Sequence, residues 1–373
     1  MGKPLQEAAT LVGAKDYQGA LAKIKEAQAA PDRTAFDDYR INQFLGIVSF
    51  NLKDYATADQ AFEAAADSPA LPDEDKKDTL RNAFALSAQA KHYQKAVGYG
   101  LQLETLGVMD ANMASDLAIS YYNLNDKANA TKYAQKSVDL AKAAGQQPPQ
   151  AALEITLNNQ AQSNNQAGAE QTLEQLALQY NSPQAWGQLI DVGFGAKGMN
   201  DVTAMDLYRL KFLAKAMKGD DYKLAGRLAN QIGFFGDAVA ILSAGGSGGA
   251  DLSKARNDAA KDKASLSSQI AQAKRSSGEV ASKVAEALYG YAQYADAEDV
   301  GRYAMTKGGA KYPYEAPLVV GMSLVGEGKY AEAVQVFNQV PGGEAAKKVA
   351  HLWSMYAQRQ IGGAQAQAPQ AQQ

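Results

Sequence analysis

The chain contains no cysteine. That absence excludes disulfides, thiolate metal sites and a cysteine nucleophile. Histidine is almost as scarce. His92 and His351 are the two present, far apart along the chain and without an acidic cluster beside them in sequence. A histidine-built metal site is therefore not expected, and no cofactor is expected. There is no apolar run of roughly 18 residues, the length a membrane-spanning helix needs. Neither sign of charge dominates: Lys and Arg total 37, Asp and Glu total 40, and the formal net charge is −3. That balance gives no global attraction to nucleic acid or to an anionic membrane. The opening Met1-Gly2-Lys3-Pro4-Leu5-Gln6 has no apolar stretch of the signal-peptide kind. Gln6 stands where a myristoylation motif needs Ser or Thr.

What is present is a repeat. Tyr17, Tyr55 and Tyr93 sit in K-D-Y-Q-G-A, K-D-Y-A-T-A and K-H-Y-Q-K-A, and their spacing is 38 residues (55 − 17 and 93 − 55). A fixed period of that order marks stacked supersecondary units. The second unit is the clearest. Ile41, Phe44, Leu45, Val48 and Leu52 fall at helical steps, so 41–52 is read as one helix. Lys53-Asp54 makes the turn, and 55–66 is the returning helix, with Ala58, Phe62 and Ala65 on one face. Pro69 and Pro72 stop it. Gly46 and Ala58 are small enough to let two helices approach, and Phe62 is read as filling the seam with the next unit.

The series Leu45-Gly46, Tyr55, Ala58, Phe62, Ala65 with a following proline resembles the tetratricopeptide repeat (TPR) family. The resemblance recurs at Tyr17, Ala20 and Ile24, at Leu117, Ala118 and Ala130, at Gly226, Phe235 and Leu242, at Ala285, Tyr294 and Ala297, and at Gly321, Tyr330, Ala333 and Phe337. It covers most of residues 5–360. The units around Tyr93 and around Ala169 match less well, and Gly100 stands where the third unit wants a large residue. The period exceeds the ~34 residues usual for the family. The resemblance implies an all-α, right-handed α-solenoid of TPR-like helix pairs with an irregular central region.

The expected organisation is an N-terminal array over 5–182, then irregular helices and one repeat unit over 183–244. The centre holds a short helix around Trp186 and a longer one over 202–217. A Gly-rich joint follows at 245–249 and a long polar helix at 250–277. Leu252, Ala259, Leu266 and Ala273 give that helix a thin apolar stripe. Further repeat units occupy 278–360, and 361–373 reads as a disordered tail.

Catalytic motifs do not assemble. Gly193-Phe194-Gly195-Ala196-Lys197-Gly198 spells a dinucleotide fingerprint, but it lies among helices with no strand before it. Gly326-Glu327-Gly328-Lys329-Tyr330 approaches a P-loop, yet Tyr330 replaces the hydroxyl residue and Ser323 the first glycine. Asp37-Asp38 and Asp73-Glu74-Asp75 fit helix starts, where carboxylates meet the positive end of the helix dipole. The chain is not expected to be an enzyme.

In the TPR family the first helix of each unit lines a concave groove. The positions that resemblance picks out are Arg40, Gln43, Phe50 and Asn51, then Arg81, Asn82 and Gln89, then Asp116, Tyr122 and Asn123. Asn51, Gln89 and Asn123 share one repeat position, and stacked amides there can hydrogen-bond an extended peptide. A solvated polar face is the plainer reading of the same residues. The groove does not clearly supply the dense Lys, Asn and Arg set by which some relatives clamp chaperone tails.

The function implied is a scaffold that binds a protein or peptide partner. The alternative is a solenoid holding a lipid or glycan, with Phe50, Tyr122, Trp186 and Phe194 as lining. Residues 224–238 and the Y-G-Y-A-Q-Y stretch at 289–294 resemble secreted proteobacterial repeat proteins. Some of those accompany outer-membrane transport systems. That resemblance implies a periplasmic protein, associated with a membrane-protein complex and preceded by a leader absent from these residues. The alternative is the cytoplasm.

Overall fold

The computed structural model describes residues 2–246 and 249–367. Every regular element among them is a helix, and the chain divides by contact into residues 1–169 and 170–373. In the first unit α1 (Lys3–Gly13) pairs with α2 (Tyr17–Gln28), α3 (Ala35–Asn51) with α4 (Tyr55–Ala66) and α5 (Asp73–Gln89) with α6 (Tyr93–Thr105). α7 (Ala111–Asn123) pairs with α8 (Lys127–Ala143). α9 (Gln150–Gln162) packs on α7 and α8, and α10 (Gln166–Tyr180) follows it across the division. Each pair also packs on the next, through α2–α3, α4–α5, α6–α7 and α8–α9. This nearest-neighbour stacking makes the unit an all-α solenoid.

One turn chemistry builds the hairpins. Lys15, Lys53, Lys91, Asn125 and Asn164 all adopt positive φ, between 55° and 65°. The next residue's N–H reaches back to a carbonyl five positions earlier, as in Asp54 to Ser49 at 2.9 Å and His92 to Ser87 at 2.8 Å. This is the bonding of a helix that ends in a left-handed residue. The Asp16, Asp54 and Asp126 side chains then cap the returning helix by accepting from the N–H of Gly19, Thr57 and Asn129. The K-D-Y signature is thus a left-handed terminator, an N-cap and the first helical residue.

The helix seams carry a small-against-large register. A Cβ on Gly46 of α3 would lie 2.7 Å from the Phe62 ring of α4. Phe62 therefore fills the seam inside its own pair, not the seam with the next unit expected from the sequence. In the third pair the same two positions exchange size. Phe84 of α5 and Leu117 of α7 approach within 3.1 Å of where a Gly100 Cβ would be. The glycine expected to weaken that unit is the socket for a large residue supplied from the facing helix.

The second unit continues with α11 (Pro183–Gly193), α12 (Asp201–Leu213), α13 (Asp221–Gln231), α14 (Phe235–Ala244), α15 (Ala250–Lys263) and α16 (Leu266–Ala273). After these come α17 (Gly278–Gly290), α18 (Tyr294–Lys307), α19 (Glu315–Gly326), α20 (Tyr330–Phe337) and α21 (Glu344–Gln367). Hairpins α13–α14, α17–α18 and α19–α20 reuse the turn, with Gly233, Ala292 and Gly328 at positive φ. Gly226 under Leu242 and Gly321 under Phe337 repeat the register of Gly46 under Phe62.

The helix read over 250–277 is two helices, interrupted at Ala264 and Ser265. Its stripe residues Leu252, Ala259, Leu266 and Ala273 are all buried. Ser247 and Gly248 of the Gly-rich joint lie outside the described residues. So do residues 368–373 of the expected tail, while α21 runs through position 361 to Gln367. Gly193 ends α11, and α12 begins only at Asp201, so the fingerprint-like glycines occupy an interhelical loop. Gly326 to Tyr330 is the α19–α20 turn. Asp37 and Asp38 fall in the first turn of α3, and Asp73, Glu74 and Asp75 in the first turn of α5.

Candidate interaction surface

The first helices of the pairs in residues 1–169 lie beside one another: α1 packs on α3, and α7 packs on both α5 and α9. Tyr39 of α3 bridges to α5 by donating to Asp75 at 2.8 Å. These first helices make up the face on which the sequence reading places its candidate residues.

The ten residues selected from sequence divide into two groups on that face. Arg40 and Gln43 are committed internally. The Arg40 guanidinium donates to Gln43 Oε1 at 2.7 Å, pairs with Asp75 at 3.5 Å and lies 4.9 Å over the Phe44 ring. Gln43 Nε2 in turn donates to the Tyr39 hydroxyl at 2.9 Å. Arg40 and Tyr39 thus fasten α3 to Asp75 of α5, with Gln43 linking the two on α3. Arg81 pairs with Asp78 one turn earlier. Asp116 is half-buried, and burial together with the charge of Asp110 raises its carboxyl above the usual range.

The second group is available. Phe50 and Tyr122 are 48% and 51% exposed, unusual values for large aromatic side chains. Asn51, Asn82, Gln89 and Asn123 are exposed as well. Asn51 and Asn123 donate Nδ2–H to their own helices, at Ile47 O and Ile119 O, both at 2.8 Å. Their carbonyl oxygens are left to accept from outside.

Tyr122 also lines a cleft of about 310 Å³ together with Asn125, Asn158, Asn159 and Gln162. The last three belong to α9, which sequence reasoning passed over because that unit matched the repeat poorly. Their spacing was nevertheless a signal, since Asn158, Asn159 and Gln162 share one side of a helix. Side-chain amides both donate and accept, so this group presents the two functions that a backbone strand needs.

His92 has acidic neighbours in space that it lacks in sequence. Its Nδ1 is 2.8 Å from Asp59 and 3.4 Å from Glu63, both buried residues of α4. The ligand atoms of the three lie within 4.8 Å of one another, close enough to hold a cation. The same oxygens already have partners. Lys95 pairs with Glu63, and the Ser87 hydroxyl lies 3.3 Å from Asp59 and 3.4 Å from Glu63. Burial, followed by the charge of Glu63, raises the Asp59 carboxyl. An ion-pair network binding α4 to the α5–α6 turn accounts for the set.

The second unit buries its own charges. Arg209 of α12 is 3% exposed. Its Nε and Nη2 grip Asp237 of α14 at 3.1 and 2.7 Å, and its Nη1 donates to Asp206 at 3.0 Å and to Glu286 of α17. The guanidinium carbon sits 4.9 Å from the Phe234 ring centre and 4.6 Å from that of Tyr289. Asp206 Oδ2 and Glu286 Oε1 are buried without a hydrogen-bond partner. One cation facing three carboxyls leaves an excess of negative charge, and burial raises the pKa of both Asp206 and Glu286. Sequence reasoning missed this cluster because its members come from three helices, with Arg209 and Glu286 77 residues apart.

No protein-family model matches the chain, and no curated protein matches it. Solved structures with similar helical architecture do exist. One, described as Naa15/Naa10 bound to HypK-THB, is 16% identical with a TM-score of 0.38, covering 90% of this chain and 57% of that one. Another is a tetratricopeptide repeat protein from Parabacteroides merdae, 13% identical with a TM-score of 0.33, covering 85% and 98%. A third is the TPR2AB domain of yeast Sti1 in a complex with pHSP90, 13% identical with a TM-score of 0.25, covering 87% and 96%. The chain spans little more than half the length of the first of these. Similarity at this level says nothing about activity, and the solenoid assignment rests on the helix pairing itself.

Proposed function

We propose that the chain is a non-catalytic scaffold of the TPR type. It would bind an extended segment of a partner protein across the first-helix face of residues 1–169. The observation that carries this reading is the cleft in which exposed Tyr122 stands beside Asn158, Asn159 and Gln162. An aromatic platform provides apolar contact area, and amides in series provide donors and acceptors for a backbone. Phe50 on α3, two helix pairs earlier, would extend the same footprint.

A crosslinked pull-down from native cells would compare the wild type with a Tyr122→Ala/Asn159→Ala variant. Both positions are at or near the surface, so the variant should keep its melting temperature. The expected result is one partner, captured stoichiometrically by the wild type and reduced at least tenfold by the variant. Equal capture by both would remove the cleft from the account.

The lipid- or glycan-binding alternative loses part of its lining. Trp186 is fully buried in the core, and Phe194 packs on Tyr208 with ring centres 4.7 Å apart. For the compartment, the likeness of residues 224–238 and 289–294 to secreted repeat proteins supports a periplasmic location beside a membrane-protein complex. Osmotic-shock fractionation of native cells tests it, and recovery of the chain with cytoplasmic markers would reject it.

A further inference from the structure

A cavity of about 510 Å³ opens in the second unit between the start of α12, the α13–α14 turn, α16, α17 and the start of α19. Its size is that of a small-molecule site. Asp201, Asp262, Glu279 and Glu315 bring carboxyls to the lining, and Lys283 brings an ammonium. Most of these groups have partners. Lys283 pairs with Glu279 at 3.1 Å. Asp262 accepts from Gln269 at 2.8 Å and from the Tyr291 hydroxyl at 2.9 Å.

Glu315 differs from the others. It is 5% exposed, lines the cavity, and among the described residues has neither a hydrogen bond to its carboxyl nor an ion pair. A buried carboxylate left in this condition is costly unless a cation reaches it. Among the described residues, no cation pairs with it directly. The charged groups that act on it are Glu286, Glu279 and Lys283 of α17. Lys283 is already spent on Glu279, and Glu286 belongs to the Arg209 cluster with its own negative excess. Burial, and next the charge of Glu286, push the Glu315 carboxyl up to about 7.

The rest of the lining narrows the chemistry. Val202, Ile232, Phe234 and Val284 give apolar walls suited to methylene groups, while the Tyr312 ring already carries the Lys311 ammonium 5.0 Å from its centre. Asp201 is exposed in the first turn of α12, which places a second carboxylate toward solvent. We propose that this cavity binds a small aliphatic polyamine, with one ammonium on Glu315, the carbon chain along the apolar wall and a second ammonium toward Asp201. The site is separate from the partner-binding face of residues 1–169 and does not depend on it.

Isothermal titration calorimetry of the full chain with spermidine at pH 8 and low salt tests the proposal. The expected result is one site per chain, weakened at least tenfold by Glu315→Gln and to a smaller extent by Asp201→Asn. Glu315→Gln removes an unpaired buried charge, so it should fold at least as well as the wild type, and its melting temperature verifies that. Equal binding by wild type and Glu315→Gln would overturn the proposal, as would no heat at millimolar spermidine. Displacement of spermidine by an equal concentration of magnesium would reduce the cavity to a nonspecific cation patch and also overturn it. A lysine-bearing tripeptide binding more tightly than spermidine would reassign the site to a protein side chain.

Discussion

Glu315 is largely buried by folding without gaining an ion-pair partner among the described residues, and this has a consequence for stability. Its ordinary value of 4.5 rises to about 7 in the folded chain. Between those values the folded state binds more protons than the unfolded state, so stability falls as pH rises through that window and levels off above it. Asp206 and Glu286, raised by burial in the neighbouring cluster, push in the same direction, while Lys283 opposes. The contribution of Glu315 is therefore read as a difference. Relative to Glu315→Gln, the wild type should lose about 1–2 kcal/mol between pH 5 and pH 8 once solvent screening is allowed for. Urea unfolding of both chains at the two pH values measures it. A parallel response in the two chains would show that Glu315 ionises normally. None of this was legible in the sequence, because Glu315 becomes unusual only when α17 and the Arg209 cluster close around it.

Helix pairs are held at the distance their smallest residues allow. Gly46 leaves no room for a Cβ beside the Phe62 ring, whereas Gly98 of α6 has nothing within 4 Å of that position. Gly46→Ala should therefore destabilise by about 1–3 kcal/mol through overpacking. Gly98→Ala should stabilise by up to about 1 kcal/mol, because alanine is the better helix former and meets no obstacle. Thermal or urea unfolding distinguishes the two, and equal effects would contradict the packing described for α3 and α4. At this scale the sequence was informative. The helix read over 55–66 coincides with α4, and the stripe Leu252, Ala259, Leu266 and Ala273 is buried throughout. Periodicity fails where residues compensate across a seam. Gly100 looks like a defect in its own helix, and Phe84 of the facing helix resolves it. The interruption at Ala264 and Ser265 was also hidden, because both residues are compatible with a continuous helix.

The chain divides into two helical units, the first carrying the proposed partner face and the second the proposed small-molecule cavity. Of the proposed partner face of residues 1–169, the exposure of Phe50, Asn51, Tyr122 and Asn123 was legible from repeat position. Repeat position could not foresee that Arg40 and Gln43 would be taken up by Tyr39 and Asp75 of their own chain. Nor could it reach α9, whose amides complete the cleft but whose unit had drifted from the consensus. The central claim is that a partner lies across α7 and α9. Hydrogen–deuterium exchange of the chain with and without its captured partner tests this most directly. The account predicts slowed exchange in residues 111–123 and 150–162, with residues 170–367 little changed. Protection confined to residues 170–367, with α7 and α9 exchanging as in the free chain, would contradict it.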